Sequence, residues 1–259
     1  MEKKYWVPAI ERANAILNMI AMEPSRLRLI DISKRLEINK SSIFSLLNTL
    51  EILGWITKEK GDTYSLGPSL GSLSAAYFRQ FNILQSFYIE AEQSLSKINE
   101  HIQFGILDGA NVLYLAKIEG PSHVRLITDP GMRFPAYATA IGKVQMVEYE
   151  YEHIQNLYGN SDLEPKTPYT VRTVSELWNQ VQQIKKAGYA KECQESALGF
   201  YCVAAAVRNH EGKIIAAVSF TMQEENWKEK EETACLEIKD LAYRLSMHAG
   251  YTPSLPGIQ

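Results

Sequence analysis

The chain has 259 residues, which is enough for one or two domains with a substantial core. Its composition, 46% hydrophobic and 22% charged, is typical of a globular protein, and no run approaches the ~18 consecutive apolar residues of a membrane helix. The net charge of −3 argues, for the chain as a whole, against a nucleic-acid partner.

That charge is unevenly distributed along the chain. Residues 1–60 carry ten Lys and Arg against seven Asp and Glu, whereas the remainder carries 17 against 23. A mildly basic end on an acidic body favours a small DNA-binding module joined to a domain with a different task, although chance variation of surface charge gives the same split.

The N-terminal stretch and the cysteines indicate a cellular compartment. Glu11 and Arg12 interrupt the apolar residues at the start of the chain, so no signal peptide is expected. Cys193, Cys202 and Cys235 are odd in number and lack framework spacing, which suits a reducing environment. The sequence therefore predicts a cytoplasmic protein without a membrane segment.

Three helices are predicted before the first clear break in helical pattern. The first covers about Pro8–Met22, with proline in its first turn, and the second covers about 29–36. After a turn of three residues, Asn39 is suited to cap a third helix, which runs to about Leu53 and ends at Gly54.

The segment after the third helix has the pattern of a hairpin. Two β-type runs, Trp55–Lys60 and Thr63–Leu66, flank a turn at Gly61 and Asp62. Three helices followed by a hairpin within about the first seventy residues predict a winged helix-turn-helix, whose third helix is the recognition helix.

A recognition helix enters the major groove by its N-terminal part. The residues predicted to face DNA are Asn39, Lys40, Ser41, Ser42 and Ser45 on the third helix, Arg26 and Arg28 before the second helix, and Lys58 and Lys60 on the wing, with Lys34 and Arg35 as further cations. The alternative is that Asn39 only caps the helix and that the serines only solvate it.

The rest of the chain predicts an α+β domain. Apolar residues recur with helical period from about Pro68 to His101, which predicts a linker helix leading into the first helix of a second domain. QFGIL, VLYLAKI, SHVRLI, GYAKECQE, YCVAAAV and KIIAAVSFTM are typical of strands. TAIGKVQMVEY, SELWNQVQQIKKAG and a final stretch from about Asn226 to His248 are typical of helices. Hairpins with helices between them predict a mostly antiparallel sheet.

This order of elements resembles the IclR family of bacterial transcription regulators. AIERANAIL is similar to the family's opening helix, INKSSIFSLLNTLEILGWI to its recognition helix, and YSLGPSLGSL to the end of the wing and the linker. GMRFPAYATAIGK and ESALGFYCVAAAV resemble the two signatures of the family's effector domain. The resemblance covers residues 8 to 250, with several motifs in the same order.

The resemblance implies a DNA-binding regulator, expected to be a repressor, that forms a homodimer or a dimer of dimers. The expected domains are a winged helix-turn-helix at 1–67, a linker helix at 68–84 and a GAF-like effector-binding domain at 85–259. A small metabolite, either an organic acid or a sugar-derived compound, would bind that domain and change operator affinity. By resemblance, the effector pocket would be lined by Leu126, Phe134, Ala140, Ile141, Glu192, Phe200, Cys202, Ser219 and Thr221.

The sequence departs from the family's pattern at three positions. Ser45 stands where a basic residue is common, Tyr137 where a histidine is common, and Ala206 where a proline is common. Glu192 argues against a simple dicarboxylate ligand and favours one that offers hydroxyl or amine donors. Arg133 is expected to pair with Glu192 or a ligand acid, or to form a surface salt bridge.

Other kinds of function fit the sequence less well. An enzyme would need Cys202 as nucleophile with a histidine base, but the five histidines are scattered and this cysteine lies in an apolar strand. No metal-ligand cluster and no phosphate-binding glycine loop is present, so no cofactor is expected. The remaining alternative is a ligand-sensing interaction module without specific DNA binding, and each pocket residue taken singly is equally suited to core packing.

Overall fold

The computed structural model describes residues 7–80, 82–121, 128–159 and 162–252, with the backbone alone for Ala75 and residues 77–80. The chain divides into two compact units, of which the first extends to Phe81 and the second begins at Asn82. The predicted strand SHVRLI and the predicted pocket residue Leu126 fall on residues 122–127, outside the described residues.

None of the helices in the described part of the chain is long and apolar enough to cross a membrane.

The first unit contains the predicted winged helix-turn-helix. Its elements are α1 (Pro8–Met22), α2 (Leu29–Arg35), α3 (Lys40–Ile52), β1 (Ile56–Lys58), β2 (Tyr64–Leu66) and α4 (Pro68–Gln80). The wing strands are shorter than predicted, because only three residues on each side pair. An isolated antiparallel bridge between Arg28 and Thr63 ties the start of α2 to the wing.

One apolar stripe of α3 holds the three helices together. Ile43, Leu47 and Leu50 recur every three or four residues and are buried, and they pack in one cluster with Ile16 of α1 and Ile32 of α2. Each fully buried aliphatic side chain of this kind contributes about 1.5–3 kcal/mol. Because this stripe faces the core, the opposite face of α3 is directed to solvent.

The helical stretch predicted over 68–101 consists of two helices. The second, α5 (Ile83–Ile98), begins at Asn82, whose Oδ1 accepts hydrogen bonds from the backbone N–H groups of Leu84 and Gln85 at 3.0 and 3.4 Å. It ends before the predicted His101, because Asn99 adopts a left-handed conformation with φ of 57°.

The second unit is built on an antiparallel sheet in the order β5-β4-β3-β8-β7-β6. Its strands are β3 (His101–Asp108), β4 (Asn111–Ile118), β5 (Arg133–Pro135), β6 (Ala190–Cys193), β7 (Phe200–Arg208) and β8 (Ile214–Gln223). Its other helices are α6 (Ala140–Gln145), α7 (Tyr151–Tyr158), α8 (Val174–Ala187) and α9 (Glu224–His248). The unit is therefore α+β, as predicted.

Alternating side chains of the sheet face two separate cores. Val203 and Ala205 of β7 belong to a cluster with α5 and α9, whereas Ala204 belongs to a cluster with α6, α7 and α8. Helices thus cover both faces of the sheet.

Gly67 occupies a position where a side chain is not tolerated. A Cβ atom there would lie 2.3 Å from the carbonyl oxygen of Gly54 and 2.9 Å from the backbone nitrogen of Ile56, where the wing returns past the end of α3. We expect Gly67→Ala to destabilise the first unit by about 1–3 kcal/mol, because backbone must move to relieve the clash.

Gly71 is the matched control, because its added Cβ meets no described atom within 4 Å apart from its chain neighbours and the backbone of its own helix. Alanine in this helical position should be neutral or stabilising by up to about 1 kcal/mol. Amide hydrogen exchange of α1 and α3 in the full chain measures the free energy of unfolding of the first unit. Equal protection of α1 and α3 in Gly67→Ala and Gly71→Ala would contradict the packing argument.

Candidate functional site

The solvent-facing side of α3 begins at its N-cap. Asn39 caps the helix as predicted: its Oδ1 accepts from the backbone N–H of Ser42 at 2.8 Å and from the hydroxyl of Ser41 at 2.8 Å. The Asn39 side-chain oxygen is therefore engaged in starting the helix.

The other hydroxyl groups on this face also donate within the helix. Ser45 Oγ donates to the carbonyl oxygen of Ser41 at 3.1 Å, and Thr49 Oγ1 donates to the carbonyl oxygen of Ser45 at 2.8 Å. The protons of these hydroxyls are thus directed inward, and their lone pairs face outward. In this arrangement they can accept hydrogen bonds from an incoming molecule but do not donate.

Five of the cationic side chains predicted to face DNA are exposed and form no ion pair with any described residue. They are Arg26, Arg28, Lys34, Lys40 and Lys60. Two other predicted cations are paired.

Arg35 forms a two-point ion pair with Glu23, and Lys58 lies 2.7 Å from Asp62 across the wing turn. The neighbouring Lys58 ammonium lowers the pKa of Asp62. Part of the positive charge predicted for the wing is therefore already neutralised.

The second unit contains a cavity between the sheet, α6 and the loop after β6. The free space inside it, together with its open mouth, is about 600 Å³. Predicted pocket residues that line it are Phe134, Ala140, Ile141, Glu192, Phe200, Cys202, Ser219 and Thr221. Lining residues that the sequence did not single out are Gln103, Tyr114, Thr128, Thr139, Ser196 and Ala197.

A chain of polar contacts crosses the floor of the cavity. Cys202 Sγ and Thr221 Oγ1 are 3.3 Å apart, and Thr221 Oγ1 donates to Gln103 Oε1 at 3.3 Å. Gln103 Nε2 then donates to Thr128 Oγ1 at 2.5 Å. Burial raises the pKa of the Cys202 thiol well above its ordinary value, so the sulfur is a neutral packing group and not a nucleophile.

The carboxylate of Glu192 fixes the loop that closes one side of the cavity. Its Oε1 accepts from the backbone N–H groups of Glu195 and, at 3.1 Å, Ser196, and its Oε2 accepts from the Ser196 hydroxyl at 2.9 Å. The Glu192 side chain is fully buried. Burial raises its pKa, against the opposing effect of the hydrogen bonds from Ser196.

A buried ion pair connects this loop to α6. Lys143 of α6 is fully buried and pairs with Glu195, which also accepts from the backbone N–H of Val171 at 3.4 Å. The carbonyl oxygen of Glu195 accepts from the Thr170 hydroxyl at 2.6 Å. α6 and the loop are therefore joined through the interior of the unit. The sequence pattern alone does not predict that Lys143 and Glu195 are buried.

Two hydroxyl groups in the cavity wall remain available. Tyr114 is 5% exposed and Ser219 is 2% exposed, and neither side chain forms a hydrogen bond with the residues the structure describes. Both residues line the cavity, so a ligand bound there can exchange hydrogen bonds with these hydroxyls. The start of α6 adds the N–H groups of Ala140 and Ile141, which precede any intrahelical acceptor.

No Lys, Arg or His lines the cavity within the described part of the chain. Arg133 is exposed, and its Nε lies 2.7 Å from Asp108 Oδ2, so of the predicted alternatives it forms the surface salt bridge.

Tyr137 is one of the departures from the family pattern. It donates its hydroxyl to the carbonyl oxygen of Glu164 at 2.6 Å and packs edge-on against Tyr158. Its role is to pack the wall behind the cavity.

Comparison with known proteins identifies both units. Residues 9–60 match the family model described as IclR helix-turn-helix domain, and residues 75–247 match the one described as bacterial transcriptional regulator IclR C-terminal. The HTH-type transcriptional regulator XynR of Escherichia coli is 31% identical over 83% of this chain and 86% of its own length. KdgR of the same organism is 25% identical over 88% of each chain.

Solved structures show the same fold. The repressor BlcR of Agobacterium tumefaciens has a TM-score of 0.82 at 23% identity, covering 97% of this chain and 100% of BlcR. IclR of Thermotoga maritima has a TM-score of 0.62 at 25% identity, covering 94% and 99%. These relatives are regulators, and the chain is not an enzyme.

The buried carboxylate predicts a pH dependence of stability. Because folding raises the pKa of Glu192, the folded state binds its proton more tightly than the unfolded chain does. The stability of the second unit should therefore fall as the pH rises from the ordinary glutamate pKa through the raised value. Glu192→Gln cannot ionise and should lose this part of the pH dependence, as measured by thermal unfolding between pH 4 and 8.

The control is Glu232→Gln, which changes an exposed glutamate of α9 and should leave the pH dependence intact. An unchanged pH profile in Glu192→Gln would show that the Glu192 carboxylate is not the group that titrates.

Proposed function

The chain belongs to the IclR family of DNA-binding transcriptional regulators, and on that premise we propose that α3 and the wing form its operator-binding surface. The observation that carries this proposal is the exposed polar face of α3, flanked by cations that no described acidic group neutralises. Lys40 at the helix start, Arg26 and Arg28 before α2, and Lys60 on the wing are placed to contact phosphates. Asn39, Ser41, Ser42, Ser45 and Lys58 complete the proposed surface.

We propose that the operator is bound by a homodimer, alone or as a dimer of dimers. α4 has exposed side chains along most of its described length, and a 13-residue helix is marginal by itself in water. Large exposed apolar side chains occur on the same unit at Ile10, Ile52, Leu53 and Leu73. Burying them against a second copy supplies the missing packing and presents two recognition helices to one inverted repeat.

We propose that the cavity binds a small sugar-derived metabolite, and that its binding changes operator affinity. The free hydroxyls of Tyr114 and Ser219 support a ligand with several hydroxyl groups, and the α6 N–H groups can receive one carboxylate. A second ligand carboxylate would meet Glu192 and no cationic side chain. A neutral sugar derivative or a monoacid is therefore favoured over a dicarboxylate.

We infer that the protein acts as a repressor in the cytoplasm, where operator DNA is found. A metabolite changes operator affinity only as far as it binds one state of the regulator more tightly than the other. The family assignment favours this function over an interaction module without specific DNA binding.

The DNA-binding proposal is tested with Lys40→Ala on duplexes from the protein's own upstream region and on random duplexes. Loss of a phosphate contact should weaken binding about equally on both and reduce the slope of log affinity against log salt by about 0.9. Ser42→Ala and Ser45→Ala should cost less. Lys186→Ala, an exposed lysine of the second unit, is the control and should leave both quantities unchanged.

Two outcomes would contradict the proposal. If the wild-type protein binds its upstream region no better than random DNA, the interaction-module alternative is favoured. If its bound sites lack an inverted repeat, the dimeric arrangement is wrong.

The ligand proposal is tested by thermal unfolding of the full chain with aldonic acids, neutral sugars and lactones, and dicarboxylates. A ligand at 100 times its Kd stabilises the folded state by about 2.7 kcal/mol. Sugar-derived compounds should raise the Tm, and dicarboxylates should not. Tyr114→Phe should weaken the binding of the stabilising compound by about twofold to tenfold through loss of one hydrogen bond.

Tyr243→Phe, an exposed tyrosine of α9, is the matched control. Stabilisation by dicarboxylates alone, or full affinity in Tyr114→Phe, would overturn the proposed ligand class.

A further inference from the structure

The solvent-facing side of α3 carries a large aromatic residue that neither the core nor the phosphate contacts require. Phe44 is 61% exposed, although the adjacent Ile43 is fully buried. It lies three residues after Ser41 and four before Asn48, so the three side chains share one helix face. An aromatic ring on the proposed operator-binding face gains free energy if an apolar group of the DNA covers it.

Asn48 is the side chain on this face with the most hydrogen-bonding capacity left. It is exposed, and its amide forms no hydrogen bond with the described residues, whereas the hydroxyls of Ser41 and Ser45 donate within the helix. A free amide has one acceptor and two donor hydrogens in a fixed plane.

The major groove of DNA offers a partner for each of these groups. The C5-methyl of thymine is the apolar group at the base edges, and adenine presents the N7 acceptor beside the N6 donor, which matches an amide in two hydrogen bonds. Guanine is usually read by arginine or lysine, and the only cationic side chain of α3 is Lys40 at its start.

We propose that Phe44 packs on a thymine methyl and that Asn48 binds an adenine edge, so that α3 selects A·T pairs at the centre of each half-site. This inference rests on the proposed operator-binding surface. Four residues of helix rise by about 6 Å, which is close to two base-pair steps, so the two side chains reach pairs about two steps apart in one half-site. Lys40 and the other cations then supply affinity, and these two residues supply sequence preference.

The test begins with sites that the wild-type full chain enriches from random duplexes. Each thymine of such a site is replaced by uracil, which removes only the methyl group, and each adenine by 7-deazaadenine, which removes only the N7 acceptor. Wild type should lose about fourfold in affinity at one thymine per half-site, the value of one buried methyl, and about fivefold or more at one adenine.

Phe44→Ala should bind the thymine and uracil duplexes equally, while keeping its response to 7-deazaadenine. Asn48→Ala should show the reverse pattern. Both side chains are exposed, so the variants should unfold at the wild-type temperature. Met22→Ala is the matched control, because it truncates an exposed apolar residue of α1 that is 63% exposed and should keep both discriminations.

Two failures are distinguishable in this experiment. If wild type enriches a site but Phe44→Ala still distinguishes thymine from uracil, and Asn48→Ala still responds to 7-deazaadenine, the assignment of these readers is wrong while operator binding stands. If wild type enriches no sequence, the proposed operator binding fails and this inference fails with it.

Discussion

The cavity of the second unit depends on the burial of one carboxylate. Glu192 lies on β6, directly opposite Cys202 of β7, and it receives the N–H groups of the loop that connects the two strands. Removing an ionised group from water is unfavourable unless donors replace the lost hydration, and the donors of this loop offset only part of that cost, since the pKa of Glu192 is raised. The same loop is tied to α6 through Lys143 and Glu195, so sheet, loop and helix enclose the cavity as one connected set.

The two units differ in how their polar side chains find hydrogen-bond partners. In the second unit, the buried groups of Gln103, Thr221, Lys143 and Glu195 meet partners distant in sequence, whereas the donors to Glu192 come from the adjacent loop. In the first unit, the hydroxyls of Ser45 and Thr49 remain at the surface and donate to the helix's own carbonyls. The result is one interior arranged around a cavity, and one exposed face of α3 whose hydroxyl protons are used within the helix.

Local pattern was sufficient to predict most of the first unit. Helix ends followed from Asn39 and Gly54, and the three-four spacing of Ile43, Leu47 and Leu50 identified the buried side of α3. Eight of the nine residues named from the family resemblance line one cavity, and the ninth, Leu126, falls outside the described residues. Their role in ligand binding stays a prediction. Local sequence pattern does not predict which side chains meet because their strands are neighbours in the sheet.

Gln103 and Thr221 illustrate this limit, because they meet only where β3 lies next to β8 in the sheet. Lys143 is a second case: lysine in a short helix is ordinarily exposed, and its burial depends on Glu195, which lies 52 positions later. Phe44 is the opposite case, an apolar residue on the polar side of a helix. The sequence alone does not show that Phe44 is exposed. The structure shows it, because Ile43, Leu47 and Leu50 fill the core on the other side of α3.

The outward position of Phe44 and Asn48 has an evolutionary consequence. Neither side chain supports the core, so, on the proposal that these two residues read bases, a duplicated copy of the gene can change its operator preference with little effect on folding. Glu192 has no such freedom, because the group that lines the cavity also holds the loop in place. In this architecture, substitutions that change which genes are controlled disturb folding less than substitutions that change which metabolite is sensed.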